Sequence, residues 1–549
     1  LIQIIERDQH CESGVEQRQD SKELIHFRKL HQQQSHHLRQ PLQQNIMVRP
    51  ARPSSGNRTK IKLRLDCLLI AMVTLIVLAQ FSLHSSVDKT SGVSPSASEK
   101  LSVSRIGQGS KTKSDNPKKI SSSQAHAPAN EDATTFPTHY TTFSTACSAS
   151  QNWQSFIFFF FAAKVQQPGY VIRIASGCSE EQQAELMEFQ RTHISKLSDK
   201  FSVHFTPNFS KVSGDDYKYY NKPFGIQHWL EHGLKYNDKK ENEDAIIMIL
   251  DPDMILLRPL TYDFTDSNVM IHKSQRGEPK VKKVMHGQPW ASLYAFGDGP
   301  FRSVDANYVF SNLTDSHALK VSQDEKNHNY PGGPPYMATG RDMYAIVNAW
   351  CMLVPRVHHV YPGLLGEMYG WSLGAAHVNL PHTLAESFMV SNTEISDGEG
   401  WQLIDQLKDD EVCNYSTMKE LEDKLPYTIH FCQNYWLGKW FIGKYRLGSD
   451  FLSCGTSLLM EPPSDLASLY NFYIKPGGKP YGEKVKVRPH VAKRESFMIC
   501  QLIKRFNDAA TWYKQQACKD GEGNYDKSWI FHHTLDVDNN EGGEKTAKW

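Results

Sequence analysis

Two aspartates separated by one residue carry the clearest chemical signal in the sequence. The apolar run Ala245–Leu250 predicts a buried strand and ends directly in Asp251, Pro252 and Asp253. Ligands bind at the carboxyl ends of strands in open α/β sheets, and a proline restricts the turn between the two acids. Both carboxylates can therefore hold one hard divalent cation, Mn²⁺ or Mg²⁺, that also contacts a diphosphate. The alternative is an exposed turn with two solvated acids.

The segments around this motif predict an α/β fold. Tyr170–Ala175 predicts a strand that runs into the small-residue loop Ser176–Cys178, and Glu180–Ser198 has helical spacing. Strand, loop and helix in this order are the α/β pattern. Asn221–Tyr236 predicts another helix, and the short apolar run FIFFFFAA in Ser155–Val165 predicts a buried strand. We expect a Rossmann-like mixed sheet flanked by helices.

The composition excludes two broad classes of protein. The chain has 549 residues, of which 39% are hydrophobic and 22% charged, and this is too polar for a multi-span membrane protein. Lys and Arg number 61 and Asp and Glu number 60, so no net field gathers nucleic acid. Aromatic residues make up 11% of the chain and are typical of a large core with an amphipathic binding cleft.

An uncharged apolar run near the N-terminus predicts a membrane anchor. Cys67–Leu83 follows a basic cluster between Arg49 and Arg64. This arrangement predicts a single span at residues 65–84, with the basic side in the cytosol and all that follows in the lumen. A buried helix and a cleaved signal peptide are the alternatives, but the leader before the apolar run is too long for a signal peptide.

The remaining segments differ sharply in composition. Residues 1–64 predict a disordered cytosolic tail, residues 85–137 a flexible stem, and residues 476–549 a helical extension with a frayed end. The catalytic domain is predicted at residues 138–475. This topology places the protein in the Golgi or ER membrane as a single-pass type II protein. Eight of its ten cysteines would be lumenal, which favours disulfides, and the sequence leaves their pairing open.

Four segments together resemble one enzyme group. They are Arg173–Cys178, Asn221–Pro223, Ile249–Ile255 and His430–Cys432. In this order they resemble the hydroxyproline O-arabinosyltransferase and peptidyl serine α-galactosyltransferase group of GT-A glycosyltransferases, over residues 138–463. The chain departs from the group at Pro252, where alanine is more usual. The resemblance implies a GT-A-like domain that transfers sugar from a UDP-sugar to a polypeptide hydroxyl with retention of configuration.

The resemblance also implies roles for individual residues. Asp251 and Asp253 would bind Mn²⁺ or Mg²⁺ with His430 as the third ligand, although a lone histidine on a strand is more often a core residue. Cations near the leaving diphosphate would stabilise its charge, and small residues let a backbone approach the nucleotide. The candidate donor-binding residues are Arg173, Ser176, Gly177, Lys222, Asp251, Lys439 and Lys444.

Two further acids are candidate catalytic residues. Asp342 and Glu367 both lie in apolar surroundings, where a carboxylate could face the anomeric carbon or orient the acceptor hydroxyl. A structural ion pair or helix cap is the alternative for each.

The expected function is metal-dependent transfer of a sugar to hydroxyproline of secreted or cell-wall glycoproteins. Transfer of galactose to peptidyl serine is the alternative, because the two activities differ only in pocket shape. A non-catalytic sugar or peptide binder on the same fold is a further alternative. A phosphohydrolase fits poorly, since Met254 and Ile255 stand where those enzymes need Thr or Val. The expected partners are a UDP-sugar, a hydroxyproline- or serine-containing polypeptide and a membrane, without nucleic acid.

Overall fold

The computed structural model describes residues 137–529, apart from residues 215, 274–276, 278, 396–397, 475–483 and 520. The predicted tail, membrane span and most of the stem therefore lie outside the described residues, as does the predicted frayed end beyond residue 529. Within the described ranges, no helix combines the length and the apolar character that a bilayer crossing requires.

A seven-stranded mixed sheet forms the centre of the described part. Its spatial order is β3-β2-β1-β4-β7-β6-β8. Strands β1 to β4 are mutually parallel, β7 runs antiparallel to β4 and β6, and β8 is parallel to β6. The prediction of a mixed α/β sheet is confirmed. The strands up to β8 are β1 His139–Ala146, β2 Tyr170–Ser176, β3 Phe201–Thr206, β4 Ile246–Leu250, β5 Met254–Leu256, β6 Trp290–Leu293, β7 Gly332–Thr339 and β8 Thr383–Ala385.

Within the described residues, shorter strands form four small sheets. Strand β10 pairs with β5 and β9, and the others pair as β11 with β12, β13 with β16 and β14 with β15. Their bounds are β9 Met389–Val390, β10 Thr428–His430, β11 Tyr435–Leu437, β12 Trp440–Ile442, β13 Leu458–Leu459, β14 Phe472–Ile474, β15 Lys484–Lys486 and β16 Lys527–Ser528.

The helices cover both faces of the central sheet. The α-helices are α1 Ala149–Lys164, α2 Glu180–Phe189, α3 Asn221–His228, α4 Gly299–Arg302, α5 Ala306–Val309, α6 Gln323–His328, α7 Gly340–Val360, α8 Gly366–His377, α9 Trp401–Asp405, α10 Tyr415–Glu420, α11 Leu466–Leu469 and α12 Pro489–Ala517. Single π-helical turns at Gln190–Ile194 and Trp229–Gly233 extend α2 and α3. Short 3₁₀ helices lie at Lys218–Tyr220, Tyr236–Asp238, Lys240–Glu243, His317–Leu319, Glu386–Phe388, Glu422–Lys424 and Lys444–Arg446.

Strand β4 is buried on both faces, which explains its continuous apolar sequence. Its even-numbered residues Ile246, Met248 and Leu250 lie in one hydrophobic core with α1 and α12. Its odd-numbered residues Ile247 and Ile249 lie in a second core with α3, α7 and α8. Side chains alternate across a strand, so one strand anchors both layers of helices. The acids that follow β4 are thereby fixed to the most buried strand of the sheet.

The prediction of a strand within Ser155–Val165 is wrong, because this segment lies in α1. Every residue from Trp153 to Ala162 is buried. Phe159 packs on Phe201 of the sheet, and Phe156 packs on Trp512 of α12. A helix enclosed between two layers is apolar on all sides, so its sequence lacks the periodicity that distinguishes a surface helix from a buried strand.

Three disulfides join cysteines that the sequence alone left unpaired: Cys147–Cys178, Cys413–Cys500 and Cys454–Cys518. The first connects the segments that follow β1 and β2. The second and third attach α12 and its C-terminal end to the loops that precede them. Cys351 and Cys432 take part in none of these three bonds.

Candidate metal and donor site

A cavity of 700 Å³ opens at the carboxyl end of β1 and β4. Its walls include Thr145 and Ala146 at the end of β1 and the turn Asp251–Asp253 after β4. On the other side it is bounded by the helix α8 and by the loops after β6, β9 and β10. This volume is typical of a small-molecule site, and its position is where α/β sheets bind ligands.

Asp251, Asp253 and His430 meet in this cavity. Strand β5 begins directly after the two aspartates and pairs antiparallel with β10, which places His430 opposite Met254. The backbone N–H of Phe431 donates to the carbonyl of Asp253 at 2.9 Å and fixes the two segments together. One ligand atom from each of the three side chains lies within 4.8 Å of the others.

The three side chains fit a divalent cation. Ligand atoms around such an ion lie roughly 3 to 4.5 Å apart. The His430 Nε2 atom lies 3.4 Å from Asp253 Oδ1 and 3.9 Å from Asp251 Oδ2. Two carboxylate oxygens and one imidazole nitrogen suit a cation such as Mn²⁺ or Mg²⁺. The Asp-Asp-His group predicted from the sequence can therefore hold a metal ion.

Two lysines contact the aspartates from the cavity wall. Lys444 Nζ lies 2.5 Å from Asp253 Oδ2, and Lys222 Nζ lies 2.7 Å from Asp251 Oδ1. Burial alone would raise the pKa of Asp253, but Lys444 and His430 hold it well below its ordinary value. Burial alone would lower the pKa of Lys222, but its anionic neighbours raise it. Both aspartates therefore lie in a strongly cationic setting.

Glu367 completes this charged group. It lies in the first turn of α8, is 7% exposed and lines the cavity. Its Oε1 lies 3.4 Å from Lys222 Nζ, so Lys222 lies between Glu367 and Asp251. Burial raises the pKa of Glu367, whereas Lys222 acts to lower it. The structure thus brings this predicted catalytic candidate to the cavity.

Asp342, the other predicted catalytic acid, lies at the opposite end of the sheet. It follows Thr339, which pairs with Ile246 at the amino end of β4. One of its carboxylate oxygens accepts from the Gly287 N–H at 2.5 Å, and the other lies 3.1 Å from Arg341. Asp342 therefore stabilises a local turn and helix start, and its position gives no support to a catalytic role.

The two lysines that were candidates for binding the diphosphate lie in different places. Lys444 lines the cavity, whereas Lys439 lies outside the described cavity wall with its Nζ 5.8 Å from the centre of the Trp529 ring. Strand β12 lies between them and carries the chain from one location to the other. Of the two, Lys444 is the one placed to contact a donor.

Arg173, Ser176 and Gly177 lie behind the cavity rather than in its described wall. Arg173 is buried in β2 and donates to Thr145 Oγ1 at 2.9 Å, so it supports a residue that does line the cavity. Ser176 Oγ accepts from Thr206 Oγ1 at 2.8 Å. Gly177 adopts a φ of 74°, a conformation that glycine reaches without strain as the chain leaves β2.

Tyr294 and Glu399 are two polar side chains of the cavity wall that sequence reasoning did not predict. Tyr294 follows β6, and its hydroxyl lies 3.4 Å from His430 Nδ1. Glu399 is buried, and its carboxylate accepts from the backbone N–H groups of Ser391 and Asn392. Burial raises the pKa of Glu399 to about 7. Both residues lie in loops without a motif, so no local signal marks them.

Comparison with known proteins supports the resemblance seen in the motifs. The chain is 27% identical over 279 residues to a peptidyl serine alpha-galactosyltransferase of Arabidopsis thaliana, a match that covers 48% of this chain and 29% of that protein. It is 29% identical over 261 residues to a protein of the same name from Chlamydomonas reinhardtii, covering 44% and 30%. The chain is similar to peptidyl serine alpha-galactosyltransferases. The predicted resemblance to this group is confirmed, and the matches span under a third of the relatives' length.

Two other comparisons add little. No protein-family profile matches the chain. Solved structures that match part of the chain include the bifunctional glycosyltransferase WbbM, at 11% identity with a TM-score of 0.30, covering 55% of this chain and 47% of that one. They also include the galactosyltransferase LgtC with donor and acceptor sugar analogues, at 10% identity with a TM-score of 0.29, covering 53% and 87%. At these TM-scores the likeness does not by itself assign a fold.

Proposed function

We propose that this chain is a GT-A-like, metal-dependent glycosyltransferase that moves galactose from UDP-galactose to a serine hydroxyl of a polypeptide. One observation carries the proposal: the Asp251, Asp253 and His430 group meets Lys444 in a cavity at the carboxyl end of the sheet. The curated relatives favour serine galactosylation over the predicted hydroxyproline arabinosylation, because both are named for the former. The hydroxyproline reaction becomes an outcome of the test.

The binding roles follow from the positions of the side chains. Asp251, Asp253 and His430 would hold a divalent ion such as Mn²⁺, which supplies positive charge near the diphosphate when bound. Lys444, beside Asp253, would donate to a diphosphate oxygen as negative charge develops there. Asp253, Glu367 and His430 are all at most 8% exposed, so their polar atoms are held in a largely buried wall.

The transfer step needs no separate base in the chain. The bond between the anomeric carbon and the diphosphate oxygen breaks, and a bond to the serine oxygen forms on the same face of the sugar. The serine proton passes to the departing phosphate oxygen, giving UDP. Glu367 would face the sugar from the α8 side of the cavity, where its carboxylate can stabilise the cationic sugar or orient the acceptor.

The cellular location is proposed on separate grounds. The apolar run Cys67–Leu83 and the basic cluster before it favour a type II membrane protein of the Golgi or ER. Three disulfides between cysteines after this run suit an oxidising lumen. A UDP-galactose-dependent transferase of secreted polypeptides would act in such a compartment.

UDP release by the full-length chain tests the proposed function. The chain is incubated with a panel of UDP-sugars, with serine-rich or hydroxyproline-rich peptides, and with either Mn²⁺ or EDTA. We expect release with UDP-galactose, the serine-rich peptide and Mn²⁺, and loss of release in EDTA. Asp253→Asn should lower the rate by at least about 100-fold, because the metal supplies several kcal/mol. Asp263→Asn, at a surface pair with Lys283, is the matched control.

Two outcomes would reject parts of this proposal. Turnover with UDP-arabinose and the hydroxyproline-rich peptide alone would assign the arabinosyltransferase activity instead. Binding of a UDP-sugar with Mn²⁺ but without turnover on any peptide would favour a non-catalytic sugar-binding protein on the same fold.

A further inference from the structure

Tyr294 contacts His430 on the side of the ring that faces away from the two aspartates. The His430 Nε2 atom faces Asp253 and Asp251 at 3.4 and 3.9 Å. The Nδ1 atom of the same ring lies 3.4 Å from the Tyr294 hydroxyl. The hydroxyl in turn lies 3.5 Å from the sulfur of Met389. The imidazole is therefore held between the acids and one tyrosine.

The hydrogen-bond donors and acceptors from His430 through Tyr294 to Met389 are consistent with one tautomer of the His430 ring. A histidine that binds a metal through one ring nitrogen carries its proton on the other nitrogen, which donates to a neighbouring group. With Nε2 towards the acids, Nδ1–H donates to the Tyr294 oxygen, and the hydroxyl proton points to Met389.

The ring of Tyr294 occupies a slot that exists only because residue 333 is glycine. A Cβ atom at Gly333 would lie 2.1 Å from the nearest carbon of the Tyr294 ring. The pairing of β6 with β7 is irregular at this point, between Ala291 and Ser292. The backbone N–H of Tyr294 donates to the Pro331 carbonyl at 2.9 Å, which anchors the residue to the start of β7. Two separate segments thus fix the position of the hydroxyl.

Cys432 is a second neighbour of His430. It lines the same cavity and hydrogen-bonds the imidazole, and its sulfur lies 3.2 Å from Ser391 Oγ. Cys432 is two residues from His430 on the same segment, whereas Tyr294 directly follows β6 of the central sheet. Tyr294 therefore links the orientation of His430 to the central sheet.

We propose that Tyr294 is a positioning residue that holds His430 with Nε2 directed to the ion site, and that Gly333 provides the slot for its ring. This inference rests on the proposed metal-dependent function. In this role the Tyr294 hydroxyl would contact His430 and not the ion itself. It would set the affinity for the cation through His430.

Direct binding of Mn²⁺ to the full-length chain tests this role. Calorimetric titration or the electron paramagnetic resonance signal of free Mn²⁺ gives the dissociation constant without any turnover. Tyr294→Phe keeps the ring and removes the hydroxyl, and we expect it to weaken Mn²⁺ binding about 10- to 100-fold. Tyr308→Phe is the matched control, because Tyr308 stacks on His359 at 4.8 Å, outside the cavity wall. It should bind Mn²⁺ like the original chain.

A second readout separates positioning from general structural damage. Tyr294→Phe should raise the Mn²⁺ concentration needed for half-maximal UDP release, and saturating Mn²⁺ should restore most of the lost rate. Gly333→Ala should also weaken Mn²⁺ binding, because its Cβ atom would displace the Tyr294 ring. Thermal unfolding of the same variant shows whether the fold remains intact.

The outcomes distinguish this inference from the proposed function. Mn²⁺ binding that is equal in the original chain and Tyr294→Phe would overturn the positioning role and leave the metal site intact. Equal weakening in Tyr294→Phe and Tyr308→Phe would also overturn it. An original chain that binds no Mn²⁺ would reject the metal-dependent function itself, and the positioning role with it.

Discussion

The two ends of the central sheet both bury acidic side chains, yet they use them differently. At the carboxyl end, Asp253 and Glu367 are 5% and 7% exposed and contact lysines that line the cavity. At the amino end, Asp342 is 3% exposed, but its oxygens contact a backbone N–H and the adjacent Arg341. Burial alone therefore does not identify a functional acid. What distinguishes the two ends is whether the carboxylate faces a cavity.

The largest expected effect is on kcat, when one acid at each end of the central sheet is replaced by its amide. Glu367→Gln should lower kcat by about 300-fold, because its carboxylate lines the cavity where we propose that sugar transfer occurs. Asp342→Asn should leave kcat within about threefold, since an amide oxygen can still accept from Gly287. Steady-state UDP release measures both. A loss of activity in Asp342→Asn that equals the loss in Glu367→Gln would break the comparison.

The second largest effect is on kcat and compares the two lysines on either side of β12. Lys444→Met should lower kcat by about 100-fold, because it removes a hydrogen-bond donor from the place where we propose that the leaving diphosphate lies. Lys439→Met should stay within about twofold, since its side chain lies over Trp529. The same assay measures both variants. If Lys439→Met proved the more damaging, the placement of the diphosphate beside Lys444 would be wrong.

The third effect is on stability. Lys222→Met would leave Asp251 and Glu367 facing each other without their shared cation, and both side chains are largely buried. We expect the free energy of unfolding to fall by about 2 kcal/mol, less than for a fully buried pair because Asp251 is 22% exposed. Lys283→Met breaks a more exposed pair with Asp263 and should change the free energy of unfolding much less, because solvent screens surface charges. Urea denaturation measures both variants. An equal loss of unfolding free energy in Lys222→Met and Lys283→Met would contradict this expectation.

The smallest effect is a pH dependence at Glu399. Burial raises its pKa in the folded state from 4.5 to about 7, so the folded protein binds this proton more tightly than the unfolded chain does. The resulting stability is full below pH 4.5 and is lost as the pH rises through 7. Glu399→Gln cannot ionise and should gain about 1.5 kcal/mol relative to the original chain between pH 4.5 and pH 8.

Urea denaturation at several pH values measures the Glu399 effect. Glu411→Gln, at a surface pair with Lys408, is the control and should track the original chain. Parallel stability curves for Glu399→Gln and the original chain would show that Glu399 does not carry this proton.

Local sequence patterns predicted the part of the site that lies on a continuous segment. The strand β4 and the two aspartates after it are adjacent in the chain, so hydrophobicity and spacing reveal them together. His430 was assigned by resemblance, and its contact with Asp253 depends on β5 and β10 pairing across more than 170 residues. A single histidine has no local pattern that reports such a partner.

Other errors and omissions have the same cause. The Phe-rich segment of α1 was predicted as a strand because burial on every side removes the helical period. Asp342 and Glu367 have similar apolar neighbours in sequence, and only the antiparallel direction of β7 sends Asp342 to the other end of the sheet. Tyr294 and Glu399 lie in loops whose partners are distant in the chain.

The sequence by itself determined the α/β class, the buried strand β4 and the acid pair at its end, because these depend on short-range hydrophobicity and spacing. The tertiary structure decided which acids and lysines share the cavity. It also decided the partners of the six disulfide-bonded cysteines and the placement of Tyr294 against His430. Those contacts join segments far apart in the chain, and strand direction and packing, rather than local composition, bring them together.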